Sequence, residues 1–204
     1  MLDKIVKVDM DVLDKIVKVD MDGVIRDIFT PMCRIYNERY GTNVLPCDIT
    51  DYDVNKSFPK VMEVDNRNAA DFFFIDHGRE VFLESKPYDS AQETLSSLML
   101  CGWKVVITTW QFTNRNKRYT LDFLERNGII YDDICFTRDK WLVQGGWLID
   151  DNPEFILDDR DTSRKIMVNM PYNQTVMYDG IRKDNLFDAA RYIIQTELSK
   201  QDNF

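Results

Sequence analysis

Lys18-Val19-Asp20-Met21-Asp22-Gly23-Val24 is the stretch on which the reading of the fold turns. It continues a short run of β-branched residues, Lys15-Ile16-Val17-Lys18-Val19, whose composition is that of a buried strand. The strand gives way to two carboxylates one residue apart and then to a glycine. A residue without a Cβ lets the backbone wrap closely around a bound ion or phosphate. Open parallel sheets present their ligand groups at the carboxyl ends of strands, which is where these acids fall.

The same decapeptide occurs twice. Leu2 to Asp11 recurs residue for residue at Leu13 to Asp22. A structural repeat needs roughly 20–50 residues and several copies, so this is a local duplication. One copy supplies the working strand, and we take the second because Gly23 follows Asp22 whereas Val12 follows Asp11. Residues 1–12 are then expected to be an extension outside the core.

Further along, apolar runs alternate with helical patterns. Lys104 to Thr108, Ile134 to Phe136, Trp147 to Asp150 and Lys165 to Asn169 read as strands. Ser90 to Cys101, Asn114 to Asn127 and Asn185 to Lys200 read as amphipathic helices, with Asn127-Gly128 as a helix stop. This alternation implies right-handed crossovers and an α/β fold, a Rossmann-like parallel sheet flanked by helices. Residues 31–85 break the rhythm with helical spacing at Met32 to Tyr40 and around Val61 to Leu83. They are expected to form a small helical cap inserted after the first strand, closed by Pro87, on a core of residues 13–30 and 86–204.

The strand ends carry related chemistry. After the first, Asp20 can attack phosphorus and Asp22 can serve as acid and then base. The second ends in Thr108-Thr109, whose hydroxyls and following N–H groups can hold phosphate oxygens. After Ile134 to Phe136 comes Lys140, a cation for the phosphoryl oxygens. The strand at Trp147 ends in Asp150-Asp151, and paired buried acids call for a cation. Magnesium takes hard oxygens and usually only one or two carboxylates, which Asp20, Asp151 and the backbone carbonyl of Asp22 would supply. Taken singly, an Asp-x-Asp-Gly turn, a threonine pair in a strand or a loop lysine is ordinary. Their succession is not.

Composition bounds the partners. The chain has 204 residues, 44% apolar, with a formal charge of −9 and one histidine, His77. Long nucleic acid is disfavoured, because phosphate backbones are held by clustered Lys and Arg. No run of about 18 apolar residues occurs, so no membrane span is expected. The four cysteines form no C-x-x-C pair and are expected to be reduced and mostly structural, in a cytoplasmic protein. A homodimer stays open.

Val19-Asp20-Met21-Asp22-Gly23, Ile107-Thr108, Lys140 and Ile149-Asp150-Asp151 resemble the motifs of the haloacid dehalogenase-like phosphohydrolases. Phe136 to Lys140, Gly146 to Asp151 and Leu83 to Pro87 are similar to the 5′(3′)-deoxyribonucleotidases within that superfamily. The resemblance implies Asp20 as nucleophile, Asp22 as acid and base, and Asp151 as metal ligand with Asp150 behind it. Thr108, Thr109 and Lys140 would grip phosphate. It also implies a magnesium-dependent phosphomonoesterase for (deoxy)nucleoside monophosphates, with other small phosphate esters or a polynucleotide end as the alternative. A catalytically idle phosphate-binding protein is the reading from another class. At the substrate pocket, Ile28 stands where the resembling proteins place an aromatic contact, and Trp110 where they place a small residue or proline. Tyr52, Phe58 and Phe72-Phe73-Phe74 are the candidates for stacking on a base.

Overall fold

The structure, a computed structural model, describes residues 13–201, so the expected extension 1–12 lies outside the described residues. Its strands are β1 (Ile16–Val19), β2 (Arg26–Asp27), β3 (Lys86–Pro87), β4 (Lys104–Thr109), β5 (Asp133–Phe136), β6 (Trp147–Asp150), β7 (Arg164–Val168) and β8 (Ile181–Lys183). The helices before β3 are α1 (Phe29–Tyr40), α2 (Val54–Ser57), α3 (Lys60–Asp65), α4 (Ala69–Asp71) and α5 (Gly78–Glu84), with a π-helical turn at Phe72–Asp76. Those after it are α6 (Ala91–Leu100), α7 (Asn114–Arg126), α8 (Pro153–Ile156) and α9 (Leu186–Gln201).

Six strands form one parallel sheet in the order β5-β4-β1-β6-β7-β8. β1 lies between β4 and β6, with Val19 level with Ile107 on one side and Ile149 on the other. The chain winds outward from β1 in one direction, then returns to its other side. That reversal puts the carboxyl end of β1 at the switch point where such sheets open a ligand crevice.

The central strands are apolar because both their faces are covered. Val17, Val19, Val105, Ile107 and Ile149 are fully buried against Leu95 and Leu98 of α6, Phe123 and Leu124 of α7, and Ala189 and Ile193 of α9. Each such aliphatic side chain contributes about 1.5–3 kcal/mol on leaving water. α7 starts where Thr113 accepts a hydrogen bond from the Asn116 N–H, and Gly128, at φ +61°, turns the chain after it.

Three features depart from the sequence reading. β8 was not expected, being short and half-polar. β2 and β3 form a small antiparallel ribbon, Arg26 opposite Pro87, which ties together the entrance and exit of the 31–85 segment. Proline is tolerated in so short an edge pair. The helical spacing around Val61 to Leu83 is realised as separate pieces, interrupted by left-handed Asn66 and the π-helical turn. This segment builds a second apolar cluster, in which Tyr36, Phe58 and Phe73 stack edge to face. Among the cysteines, all without disulfides, only Cys33 is buried; Cys47 and Cys101 are exposed, contrary to a mostly structural set.

Candidate active site

The turn after β1 brings Asp20 and Asp22 into one concavity. Gly23 has φ +89°, and a Cβ built there would lie 2.5 Å from Asp151 Oδ2. Glycine is thus required for the end of β1 to pack against the end of β6.

Asp20 is 7% exposed, and its carboxylate accepts a hydrogen bond from Lys140 Nζ at 2.5 Å. The same ammonium donates to Asp150 Oδ2 at 2.6 Å, while Asp150 Oδ1 accepts from the Asn152 N–H at 2.9 Å. Asp150 therefore fixes Lys140 and has both oxygens engaged. Asp151 differs. Its Oδ2 accepts from the Tyr172 hydroxyl, but its buried Oδ1 has no partner among the described residues.

Asp20, Asp150 and Asp151 each bring an oxygen within 4.8 Å of the others. Burial pushes the Asp20 carboxyl up to about 7; Lys140 restrains that rise and the Asp150 charge reinforces it. Burial also drives Asp151 well above the ordinary range, with repulsion from Asp20 and Asp150 adding to it. For Lys140, burial works against the charge, but Asp150 and Asp20 outweigh it and hold the ammonium protonated. Three carboxyl groups sharing one ammonium cannot all ionise without a further positive charge. An orphaned, buried oxygen among hard oxygen donors fits a magnesium-type cation.

Asp22 is held differently. Arg26 Nε donates to its Oδ1 at 2.7 Å, and Gln111 Nε2 donates to its Oδ2 at 3.0 Å. The Gln111 amide also reaches Thr109 Oγ1 at 3.0 Å, linking two of the expected site residues. Thr109 lines the cavity, whereas Thr108 is absent from its wall and its buried hydroxyl has no partner among the described residues. Successive residues of a strand point to opposite faces, so both could not line it from within β4.

The cavity, about 360 Å³, is lined by Asp20, Asp22 and Asp151, by several aromatic side chains, and by aliphatic and polar residues of the 31–85 segment such as Met32, Asp53 and Asn68. Ile28 and Tyr52 both line it, and the Tyr52 hydroxyl accepts from Asn152 Nδ2 at 2.8 Å. Of the other stacking candidates, Phe74 lines the cavity; Phe58, Phe72 and Phe73 are core of the helical segment. Trp110 and Phe112 stand at the wall, half exposed, in edge contact at 5.8 Å.

The family described as "5' nucleotidase, deoxy (Pyrimidine), cytosolic type C protein" matches residues 14–199. The chain belongs to that family. As a 5′-nucleotidase family member it is a phosphoric monoester hydrolase with a haloacid dehalogenase-like fold, acting on small phosphate esters. No curated protein sequence matches it.

The chain is similar in structure to a predicted phosphatase from Clostridium acetobutylicum, at 16% identity over 91% of this chain and 98% of that one, with TM-score 0.59. Protein Tyrosine Kinase A from Mycobacterium tuberculosis shares 12% identity over 88% and 97% of the two chains, with TM-score 0.63. L-2-haloacid dehalogenase from Xanthobacter autotrophicus shares 11% identity over 88% and 98%, with TM-score 0.56. At such identities these likenesses show the fold alone. Among the described residues, no helix is long and apolar enough to cross a membrane.

Sequence reasoning missed Arg26, Gln111, Tyr172 and the pair Lys18 and Asp161. Lys18 is fully buried in β1, with Nζ 2.5 Å from Asp161 and 3.3 Å from the Lys140 carbonyl. A lysine inside an otherwise apolar strand, and an arginine four residues after Asp22, were the clues available.

Proposed function

We propose that this phosphomonoesterase is magnesium-dependent, works through an aspartyl-phosphate on Asp20, and hydrolyses (deoxy)nucleoside monophosphates. The observation that carries the reading is Asp151 Oδ1, a buried carboxylate oxygen with no partner among the described residues, in a cluster with Asp20 and Asp150. Asp20, Asp151 and the backbone carbonyl of Asp22 would hold the ion, with Asp150 behind them. Bound there, magnesium would offset repulsion between Asp20 and the phosphate and polarise the phosphoryl group.

An Asp20 carboxylate oxygen forms a bond to phosphorus as the bond to the ester oxygen breaks. The Asp22 carboxyl gives its proton to that leaving oxygen, and the nucleoside departs. Water then attacks the phosphorus of the aspartyl-phosphate and gives a proton to Asp22, which releases inorganic phosphate and restores Asp20. Lys140, the hydroxyl of Thr109, and the N–H groups beyond β4 would hold the phosphoryl oxygens as charge spreads over them. Residues 31–85 act as the cap on the core of residues 13–30 and 86–204. Ile28, Tyr52, Phe74 and Trp110 give the base apolar and aromatic surface, and the enclosed position keeps water from the reacting centre.

A panel of nucleoside monophosphates, sugar phosphates and p-nitrophenyl phosphate, assayed with magnesium and again after chelation, tests the proposal. Magnesium-dependent phosphate release is expected to be fastest from a nucleoside monophosphate. Faster release from a sugar phosphate would move the substrate class, and undiminished turnover after chelation would remove the metal.

A further inference from the structure

Arg26 is 0% exposed, in a class of side chain almost never fully buried without a partner. Its position is fixed twice over. The backbone is closed by Arg26 N–H to the Met21 carbonyl at 2.8 Å and by Gly23 N–H to the Arg26 carbonyl at 2.9 Å. The guanidinium lies between two rings, 4.5 Å from Phe82 of α5 and 5.1 Å from Phe123 of α7. Within that sandwich, Nε and Nη2 both reach Asp22 Oδ1, at 2.7 and 2.6 Å, and Nη2 also donates to Thr120 Oγ1 at 3.2 Å. Gln111 takes the other Asp22 oxygen. Both oxygens of Asp22 are thus directed by donors on separate elements, and the Asp22 side chain, 21% exposed, still opens onto the cavity.

We propose that Arg26 is a positioning residue, which aims the Asp22 carboxyl at the leaving oxygen from a cradle shared by the cap and the core. The proposal rests on the reading of Asp22 as the acid. Arg26 does not touch substrate. It removes the rotational freedom of a side chain whose proton must arrive as the bond between phosphorus and the ester oxygen breaks. A guanidinium suits this task, because its planar fork holds direction as well as charge. The cost of losing it depends on the leaving group. A nucleoside oxygen departs poorly as an alkoxide and needs the proton, whereas p-nitrophenolate leaves readily as the anion.

The test compares kcat/KM for p-nitrophenyl phosphate and for the best nucleoside monophosphate of the panel, using the full chain with magnesium. In Arg26→Met, which keeps apolar bulk between the rings, nucleotide hydrolysis is expected to fall about 100-fold while p-nitrophenyl phosphate stays within about threefold. Arg26→Lys keeps the charge, loses the fork, and should show the same split at about tenfold. Should Arg26→Met not fold, Arg26→Lys decides by that split. In an Asp22→Ala background, Arg26→Met should cost nothing further on either ester. Equal losses on both esters, no loss, or an added loss without Asp22 would each overturn the proposal while leaving the phosphatase reading in place. A wild-type protein inactive on both esters would overturn the two together.

Discussion

Gly23→Ala separates a real ligand turn from a coincidental Asp-x-Asp-Gly. At φ +89° an alanine is strained by about 1–2 kcal/mol. Its Cβ would lie 2.5 Å from Asp151 Oδ2, 2.7 Å from Asp151 Cγ and 3.0 Å from the Tyr172 hydroxyl, so Asp151 has to move by about half an ångström. Tyr172 pins that carboxylate, and loosening a hydrogen bond to a buried charged group costs a further ~1.5–3 kcal/mol. The total, about 2.5–5 kcal/mol, corresponds to a fall in Tm on the order of 10 °C for a chain of this size. Displacing Asp151, the proposed metal ligand, by this much should also cut phosphate release on the order of 100-fold. Circular-dichroism melting and a phosphate-release assay read the two effects. A variant that melts within about 1 °C of wild type and keeps full activity would refute the packing of Gly23 on Asp151.

Lys140→Met leaves Asp20 and Asp150 buried without their cation, so a loss of about 3–5 kcal/mol in denaturant unfolding is expected together with loss of turnover. Lys18→Met should cost a similar ~3–5 kcal/mol, recovered in large part when Asp161→Asn accompanies it, because the pair rather than either charge is what the interior accommodates. Stability without cations should fall as pH rises. The Asp20 carboxyl, ordinarily near 3.8 and lifted to about 7 by burial, stays protonated in the folded chain over a window where the unfolded chain has already ionised. That contribution is complete below the unfolded value and lost as pH passes the folded one, so melting with and without magnesium should show cation stabilisation growing from pH 5 to pH 8.

Much of the site could be read from the chain because its residues sit at strand ends, where a local apolar run announces the acid or hydroxyl that follows it. Choosing the second copy of the decapeptide rested on Gly23, and the φ there, with Asp151 pressed against it, is the physical reason glycine was informative. Arg26 could be seen but not interpreted: its proposed role depends on Phe82 and Phe123, brought to it by two helices far apart in the chain, α5 and α7. Gln111 meets Asp22 from 89 residues away, and no local pattern encodes such a meeting. The helical spacing around Val61 to Leu83 gave the segment's character but not its breaks. Those come from left-handed Asn66 and a π-helical turn, which periodicity does not register. Thr108 and Thr109 looked equivalent in sequence, and the alternation of a strand made them different.

The central claim is that Asp20 carries the phosphoryl group. Rapid quenching of a turnover mixture in acid, followed by tryptic peptide mass spectrometry, tests it directly. Cleavage after Lys7 and Lys15 gives a peptide containing Asp9, and cleavage after Lys18 and Arg26 gives a different one containing Asp20, so the duplicated segments are distinguishable. The account predicts a phosphoryl adduct on the peptide from Val19 to Arg26, absent in Asp20→Asn along with phosphate release. An adduct on the peptide from Val8 to Lys15, or turnover retained in Asp20→Asn, would contradict it.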